Sequence, residues 1–302
     1  MADLRAQVAD PREGILGPRS VAWRIGADLG LFAGGGRAAL LQLAHPKVAH
    51  AVDQHSKTRT DVAGRFARTF HNVFAMLFGD LEQAFTAARR VHAVHTRIHG
   101  TIPDAIGGWP AGTPYEANEP ESLCWVHATL LDTTIRVREL LDGPLPTSIK
   151  DAYVVELQRF AALFGIPRAM LPQSWAEHAA YMAEMIGSDR LAVAPCAREM
   201  ARFLVGRGAR VQPPLGRIAE ALTHELLPPH LADQFGLRGT PRRTRAGLVA
   251  FATVYRRLPR SVVAVPAHTD ARRRLAGQGP SRLAAWTERQ LFGLAQRATA
   301  SR

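Results

Sequence analysis

The sequence predicts an all-α fold, a single multi-helix globular domain over residues 1–302, and three observations carry that expectation. Apolar residues recur at spacings of three and four along most of the chain, and no run alternates apolar and polar residues as a half-buried strand does. Gly- and Pro-rich breakers separate the periodic segments. With 302 residues and 47% hydrophobic content, the chain can bury a large core without a disulfide or metal to hold it together.

Helices are expected in order over residues 19–32, 36–53, 60–78, 80–98, 119–141, 147–165, 173–186, 190–204, 214–226, 242–258 and 281–298. Breakers lie at Ser56 to Thr60, Gly100 to Pro114, Gly143 to Pro146, Gly165 to Pro167, Gly206 to Pro214 and Gly277 to Pro280. The stretch from Gly100 to Asn118 is long for a connection inside a compact domain, and such loops often border a functional pocket.

The segments 60–78 and 81–99 carry the chemistry. On the first, Phe66, Phe70, Val73, Phe74 and Leu77 share one helical face, and Arg65, Arg68, Thr69 and Asn72 form the adjoining stripe. Cations and a hydroxyl thus border an apolar wall. After Gly79 and Asp80 break the helix, Leu81, Phe85, Ala88, His92, His95 and His99 repeat at spacings of three and four. A neutral imidazole is a metal ligand that must be held by packing and by its second nitrogen, so this face is a suitable mount for a metal or a haem.

Charge and cysteine usage narrow the classes. Residues 1–150 hold 16 basic and 15 acidic side chains, a net +1, and residues 151–302 hold 22 and 11, a net +11. All but Lys47, Lys57 and Lys150 of the 38 basic residues are arginine, which together with abundant alanine reads as a codon bias more than a selected nucleic-acid surface. No nucleic-acid-binding signature accompanies the Arg242-Arg243-Thr-Arg245, Arg256-Arg257 and Arg272-Arg273-Arg274 clusters, so a specific nucleic-acid partner is not expected. Weak contact with an anionic membrane surface is compatible with them. Cys124 and Cys196 form no paired motif, which fits a reducing cytoplasm. The start, Met1 to Gly14, lacks the apolar core of a secretory signal, and the apolar run 25–44 is interrupted by Asp28, Arg37 and Gly34 to Gly36.

Several motifs are missing. The chain has no Gly-x-Ser-x-Gly elbow, no phosphate-binding Gly-x4-Gly-Lys-Ser/Thr loop and no strand leading into Gly-x-Gly-x-x-Gly. No histidine has Glu three residues before it, as a ferritin-like di-iron site requires. His-Glu-x-x-His and Cys-x-x-Cys-His are absent too, and Cys196 lacks the surroundings of a thiolate-ligated haem loop. Imidazole ligation of a non-covalent haem remains, or no metal at all.

The ordered series Leu40-Leu-Gln-Leu-Ala-His-Pro46, His55-Ser56, Arg65-x-x-Arg68-Thr69, Phe78-Gly79, Val94-His95 with Gly100, Trp125-Val-His-Ala-Thr129 with Asp132, and Leu258-Pro259 resembles the catalytic domain of rubber oxygenases. That family groups latex-clearing proteins with MpaB-type oxygenases, and the resemblance runs from about Gly14 to Leu275. It implies an all-helical domain enclosing one haem b (iron) in a pocket, with a proximal histidine and oxygen-dependent oxidation of an apolar small molecule, often isoprenoid, by dioxygen. Residue by residue, His95 matches the proximal metal ligand, and Arg65, Arg68 and Thr69 match the distal Arg-x-x-Lys/Arg-Thr motif. Where latex-clearing proteins can carry a distal lysine this chain has Arg68, a cation that cannot become a ligand, and the acidic base proposed in those enzymes has no secure match.

Each candidate has a structural alternative. His99 rivals His95 as ligand, or instead satisfies carbonyls at a helix end; His92 reads as packing or support. Arg65 reads as a partner for a haem propionate or as half of a surface pair with Asp61. Thr69 can bond back to the carbonyl of Arg65. His45, before Pro46, reads as an elbow that closes a helix or lines the pocket, and His127 as a buried group that supports the cofactor or simply bonds within the core. Two further functions compete with the oxygenase: a non-catalytic haem carrier or gas sensor, and a metal-free helical protein that binds anionic surfaces.

Overall fold

The structure, a computed structural model, describes residues 2–56, 62–204, 215–237, 242–281 and 286. Among them are fourteen α-helices and one two-stranded ribbon, so the fold is all-α as the periodicity predicts. The elements are α1 (Ala2–Ala6), α2 (Val21–Gly26), α3 (Gly35–Leu43), α4 (Pro46–His55), α5 (Val62–Phe78), α6 (Leu81–His95), β1 (His99–Thr101), β2 (Pro114–Glu116) and α7 (Pro120–Asp142). Beyond them come α8 (Thr147–Leu163), α9 (Trp175–Gly187), α10 (Pro195–Leu204), α11 (Leu215–Leu226), α12 (Pro229–Phe235), α13 (Arg242–Tyr255) and α14 (Pro266–Leu275).

Helix α7 is the axle. It is 23 residues long, about 34 Å at the usual rise per residue, and fourteen of its side chains are buried. Helices α2, α3, α8, α9 and α13 pack around it. A helix enclosed on so many sides must satisfy its own polar groups, and α7 does so mainly against α3. Trp125 Nε1 donates to the Leu41 carbonyl at 3.0 Å, and Gln42 Nε2 to Thr129 Oγ1 at 3.2 Å. Arg37, 1% exposed, donates to Asp132 Oδ2 and Thr133 Oγ1, each at 2.6 Å, and to the Leu226 carbonyl at 2.7 Å. Two pieces of the ordered motif series, Leu40 to Pro46 and Trp125 to Asp132, are therefore the two sides of this brace.

The N- and C-terminal parts of the chain are stitched together. Leu29 N–H donates to the Val263 carbonyl at 2.8 Å and Val265 N–H to that of Ala27 at 2.7 Å. Between them Asp28, 5% exposed, collects Arg138, Arg260, the Tyr255 hydroxyl and the Gly30 N–H.

The structure departs from the expected elements where short-range chemistry overrides periodicity. The span 19–32 is α2 followed by a 3-10 stretch, Leu29–Gly34, because the Asp28 side chain caps Gly30 N–H and starts a new turn. The span 36–53 is two helices: His45 adopts extended angles and Pro46 opens α4 at its first position, where a missing N–H costs nothing. Helices α12 and α14 were not expected; both are short and start on a proline, which gives too little length for a periodic signal. The ribbon was not expected either: β1 and β2 have only three residues each, paired antiparallel with Gly100 opposite Tyr115. The expected helix 281–298 lies almost wholly outside the described residues.

Candidate active site at the open end of a helical hairpin

Helices α5 and α6 form an antiparallel hairpin that turns at Gly79 and Asp80. Asp80 caps α6 reciprocally with Gln83: the Gln83 N–H donates to Asp80 Oδ1 at 2.8 Å, and the Asp80 N–H to Gln83 Oε1 at 3.0 Å. Gly14 packs on this turn with φ of 73°, and a Cβ there would overlap the Gly79 carbonyl. With the turn pinned, position along each helix is set by the rise per residue. Arg68 and Thr69 lie roughly 17 Å from the turn on α5, and Arg65 and His95 roughly 22 Å from it on their two helices. The hairpin therefore brings the Arg65-x-x-Arg68-Thr69 segment and His95 to the same end of the pair.

His95 is the last residue of α6 and half-buried. Its Nδ1 is buried with no hydrogen-bond partner. Burial pushes its pKa down, aided by neighbouring His92 and opposed by Asn118, so the ring is neutral at physiological pH. Asn118, beside it, donates from Nδ2 to Thr96 Oγ1 at 3.3 Å and to the His92 carbonyl at 3.4 Å. Thr96 in turn donates to the same carbonyl at 2.9 Å. The helix end that holds His95 is thus closed by Thr96 and strapped by Asn118, which arrives from the segment after β2.

The expected three-histidine helical ladder is not present. Thr96 ends the helix, the backbone tightens through Arg97 to Val94 and Ile98 to His95 hydrogen bonds, and His99 enters β1. His99 is exposed, and its carbonyl, not its ring, has a specific contact, from His55 Nε2 at 3.0 Å. His92 is exposed as well. Of the three, His95 alone combines burial with an uncommitted ring nitrogen.

Arg68 and Thr69 are exposed on α5, although the amphipathic pattern suggested that they border an apolar wall. The Arg65 side chain lies outside the described residues, as does Asp61. His45 and His127 sit on other elements. His45 occupies the break before α4, 1% exposed, with its ring 5.2 Å from that of Trp109 and its pKa pushed down to about 3 by burial and by Arg190 and Lys47. His127, on α7, stacks on Phe160 at 6.2 Å, and burial, with His178, lowers its pKa to about 4. Both are held neutral inside the protein.

Sequence reasoning missed Asn118 and the full extent of the network around Asp132. Beyond Arg37, Asp132 accepts from Arg136 Nε at 2.7 Å, and His178 Nε2 stands at 3.8 Å, too far to bond. His178 is fully buried with both ring nitrogens unpartnered. Only the four-residue spacing of Asp132 and Arg136 is a sequence signal for any of this.

Among the described residues no three His, Cys, Asp or Glu side chains stand together as a metal-ion site. A cavity of about 200 Å³ lies between residues 7–19 and Arg159, and another of about 360 Å³ beside α12; neither is lined by His95, Arg68 or Thr69. No helix among the described residues is long and apolar enough to cross a membrane.

An all-helical chain with this ordered motif series belongs to the class of oxygenase catalytic domains. The family described as "ER-bound oxygenase mpaB/B'/Rubber oxygenase, catalytic domain" matches residues 23–257, more than three-quarters of the sequence, and the chain belongs to that family. No curated protein and no solved structure matches it. Membership makes it an oxidoreductase in general terms, one that uses dioxygen on a small molecule.

Proposed function

We propose that the protein is a b-type haem-dependent oxygenase of a hydrophobic substrate, isoprenoid or lipid-like in class, with His95 as the proximal ligand. The observation that carries this reading is the buried, partnerless Nδ1 of a neutral imidazole at the hairpin end where the distal motif also lies. Iron held by the other ring nitrogen would fix the tautomer with the proton on Nδ1, the nitrogen kept inside the protein beside Asn118. The donor set fits the group: one neutral histidine for the iron, with Arg65 of the distal motif as the candidate partner for a propionate.

When bound, the haem supplies activation of dioxygen. The chain does the rest. Thr96 and Asn118 fix the end of α6 and thereby the ring plane of His95. Arg68 would contribute a guanidinium that stays charged and donates hydrogen bonds, and Thr69 a hydroxyl. The apolar side of α5 is built by Phe70 and Phe74, which pack on Phe32.

The test is haem retention. His95→Ala should abolish the Soret band of the purified protein, whereas His99→Ala should keep it. A normal Soret band in both variants would sink the assignment of His95, and a colourless wild-type protein after reconstitution with hemin would sink the haem itself.

A further inference from the structure

Helix α13 turns an apolar face to solvent. Its inner side is accounted for: Ala252 is buried against Val137 and Leu141, and Phe251 and Tyr255 pack on the same cluster. On the opposite side Ala246, Val249, Ala250, Thr253 and Val254 are all exposed. Val249 is 63% exposed and Val254 62%, and the chain leaving the helix adds Leu258 at 39% and Val262 at 63%. Four of the nine exposed large apolar side chains among the described residues thus fall within fourteen residues of sequence. A solvent-facing helix surface is normally polar, so this one is missing a partner.

The partner's charge is set by the same segment. From Gln234 to Thr269 there are seven arginines and no aspartate or glutamate. Arg242, Arg243 and Arg245 open the helix. Arg256 is engaged with the Leu140 and Leu141 carbonyls, while Arg257 is exposed and Arg260 remains 70% exposed although it pairs with Asp28. The surface is therefore apolar along its middle, with exposed Arg257 and Arg260 at its far end and three further arginines in the sequence at its start.

We propose that the outer face of α13, continued through Leu258 and Val262, docks on an anionic lipid bilayer surface. Valines enter the boundary between headgroups and acyl chains while the arginines meet lipid phosphates and carboxylates. A second copy of the chain is a poorer partner, because a symmetric contact would set arginines against arginines. Nucleic acid is poorer too, since phosphates engage the arginines but leave the valines in water. The proposal stands apart from the oxygenase reading and does not depend on haem content, and it would bring the chain to where apolar molecules dissolve.

The test is co-sedimentation of the full chain with vesicles of phosphatidylcholine alone and of phosphatidylcholine mixed with phosphatidylserine. Binding is expected to the mixed vesicles only, weakening as salt rises. Val249→Ser with Val254→Ser should lower the partition on the order of tenfold. Arg257→Ala should lower it about fivefold, the equivalent of about 1 kcal/mol near an anionic surface. All three positions are exposed, so circular dichroism should not change. Four results overturn the proposal: no binding to mixed vesicles at low salt, unchanged binding of the valine double variant, tighter binding to double-stranded DNA than to vesicles, or a dimer that the valine substitutions dissolve.

Discussion

Replacing Asp132 by alanine separates a structural from a chemical role for the most polar part of the motif series. The side chains of Asp132 and Arg37 are 1% and 2% exposed, and one carboxylate oxygen holds both Arg37 at 2.6 Å and Arg136 at 2.7 Å. Burial by itself would push the Asp132 carboxyl up, but neighbouring His178, Arg37 and Arg136 outweigh it and hold it well below the usual carboxylate range. Asp132→Ala leaves the Arg37 guanidinium enclosed with two neutral acceptors, Thr133 Oγ1 and the Leu226 carbonyl, and no counter-charge. Breaking a buried pair from one side costs about 3–5 kcal/mol. For a domain whose total stability is on the order of 5–15 kcal/mol, that is a large fraction. Urea unfolding followed by circular dichroism at neutral pH measures it. Arg37→Met combined with Asp132→Leu should recover most of the loss, because an apolar pair of similar volume removes both buried charges. A loss below about 1 kcal/mol in the single variant, or no recovery in the double, would refute the reasoning.

Three other outcomes follow from the same structure. Stability should fall as pH drops from about 6.5 toward 4: His45 and His127 have folded pKa values near 3 and 4, below the unfolded value, so the unfolded chain takes up protons first. Each contributes a slope of up to ~1.4 kcal/mol per pH unit in that window, which urea midpoints at several pH values would read, and a flat profile would show that these rings are not held neutral. Arg68→Lys should shift the spectrum of the haem-loaded protein toward low spin and slow cyanide binding, since a lysine near iron can lose its proton and coordinate; identical spectra would remove Arg68 from the distal side. Arg68→Ala should keep haem and lower turnover of an apolar substrate about 10²–10³-fold, and full activity would give the distal donor role to another residue.

The long helices were legible in the sequence because each carries its own boundary signals. Asp80 and Gln83 start α6, Pro120 opens α7 and Gly143 closes it, and apolar residues fill the periods between. The elbow at His45 was legible from Pro46, although the apolar pattern ran on across residues 36–53 as if through one helix. The histidine ladder failed for a related reason: spacing alone cannot register that Thr96 closes the helix and that pairing with β2 draws His99 into a ribbon. His95 itself could be singled out from the ordered motifs. Asn118 could not, because its contact with the end of α6 depends on a return of the chain through β2. Within Trp125 to Asp132, Trp125, Thr129 and Asp132 bond to α3 as a brace, a role that only the partner helix reveals.

The stitching of residues 27–29 to residues 263–265 has a consequence for how the chain is made. Ala27, Asp28 and Leu29 leave the ribosome some 230 residues before their backbone and charge partners at Arg260, Val263 and Val265. At about 5–20 residues per second, Asp28 waits on the order of 10–50 s for its last partner. For that interval the α5–α6 hairpin and the α3–α7 brace can form while the N-terminal segment stays open to proteases and chaperones. A chain that stops at residue 257, where the family match ends, lacks Arg260, Val263 and Val265 and cannot complete this closure.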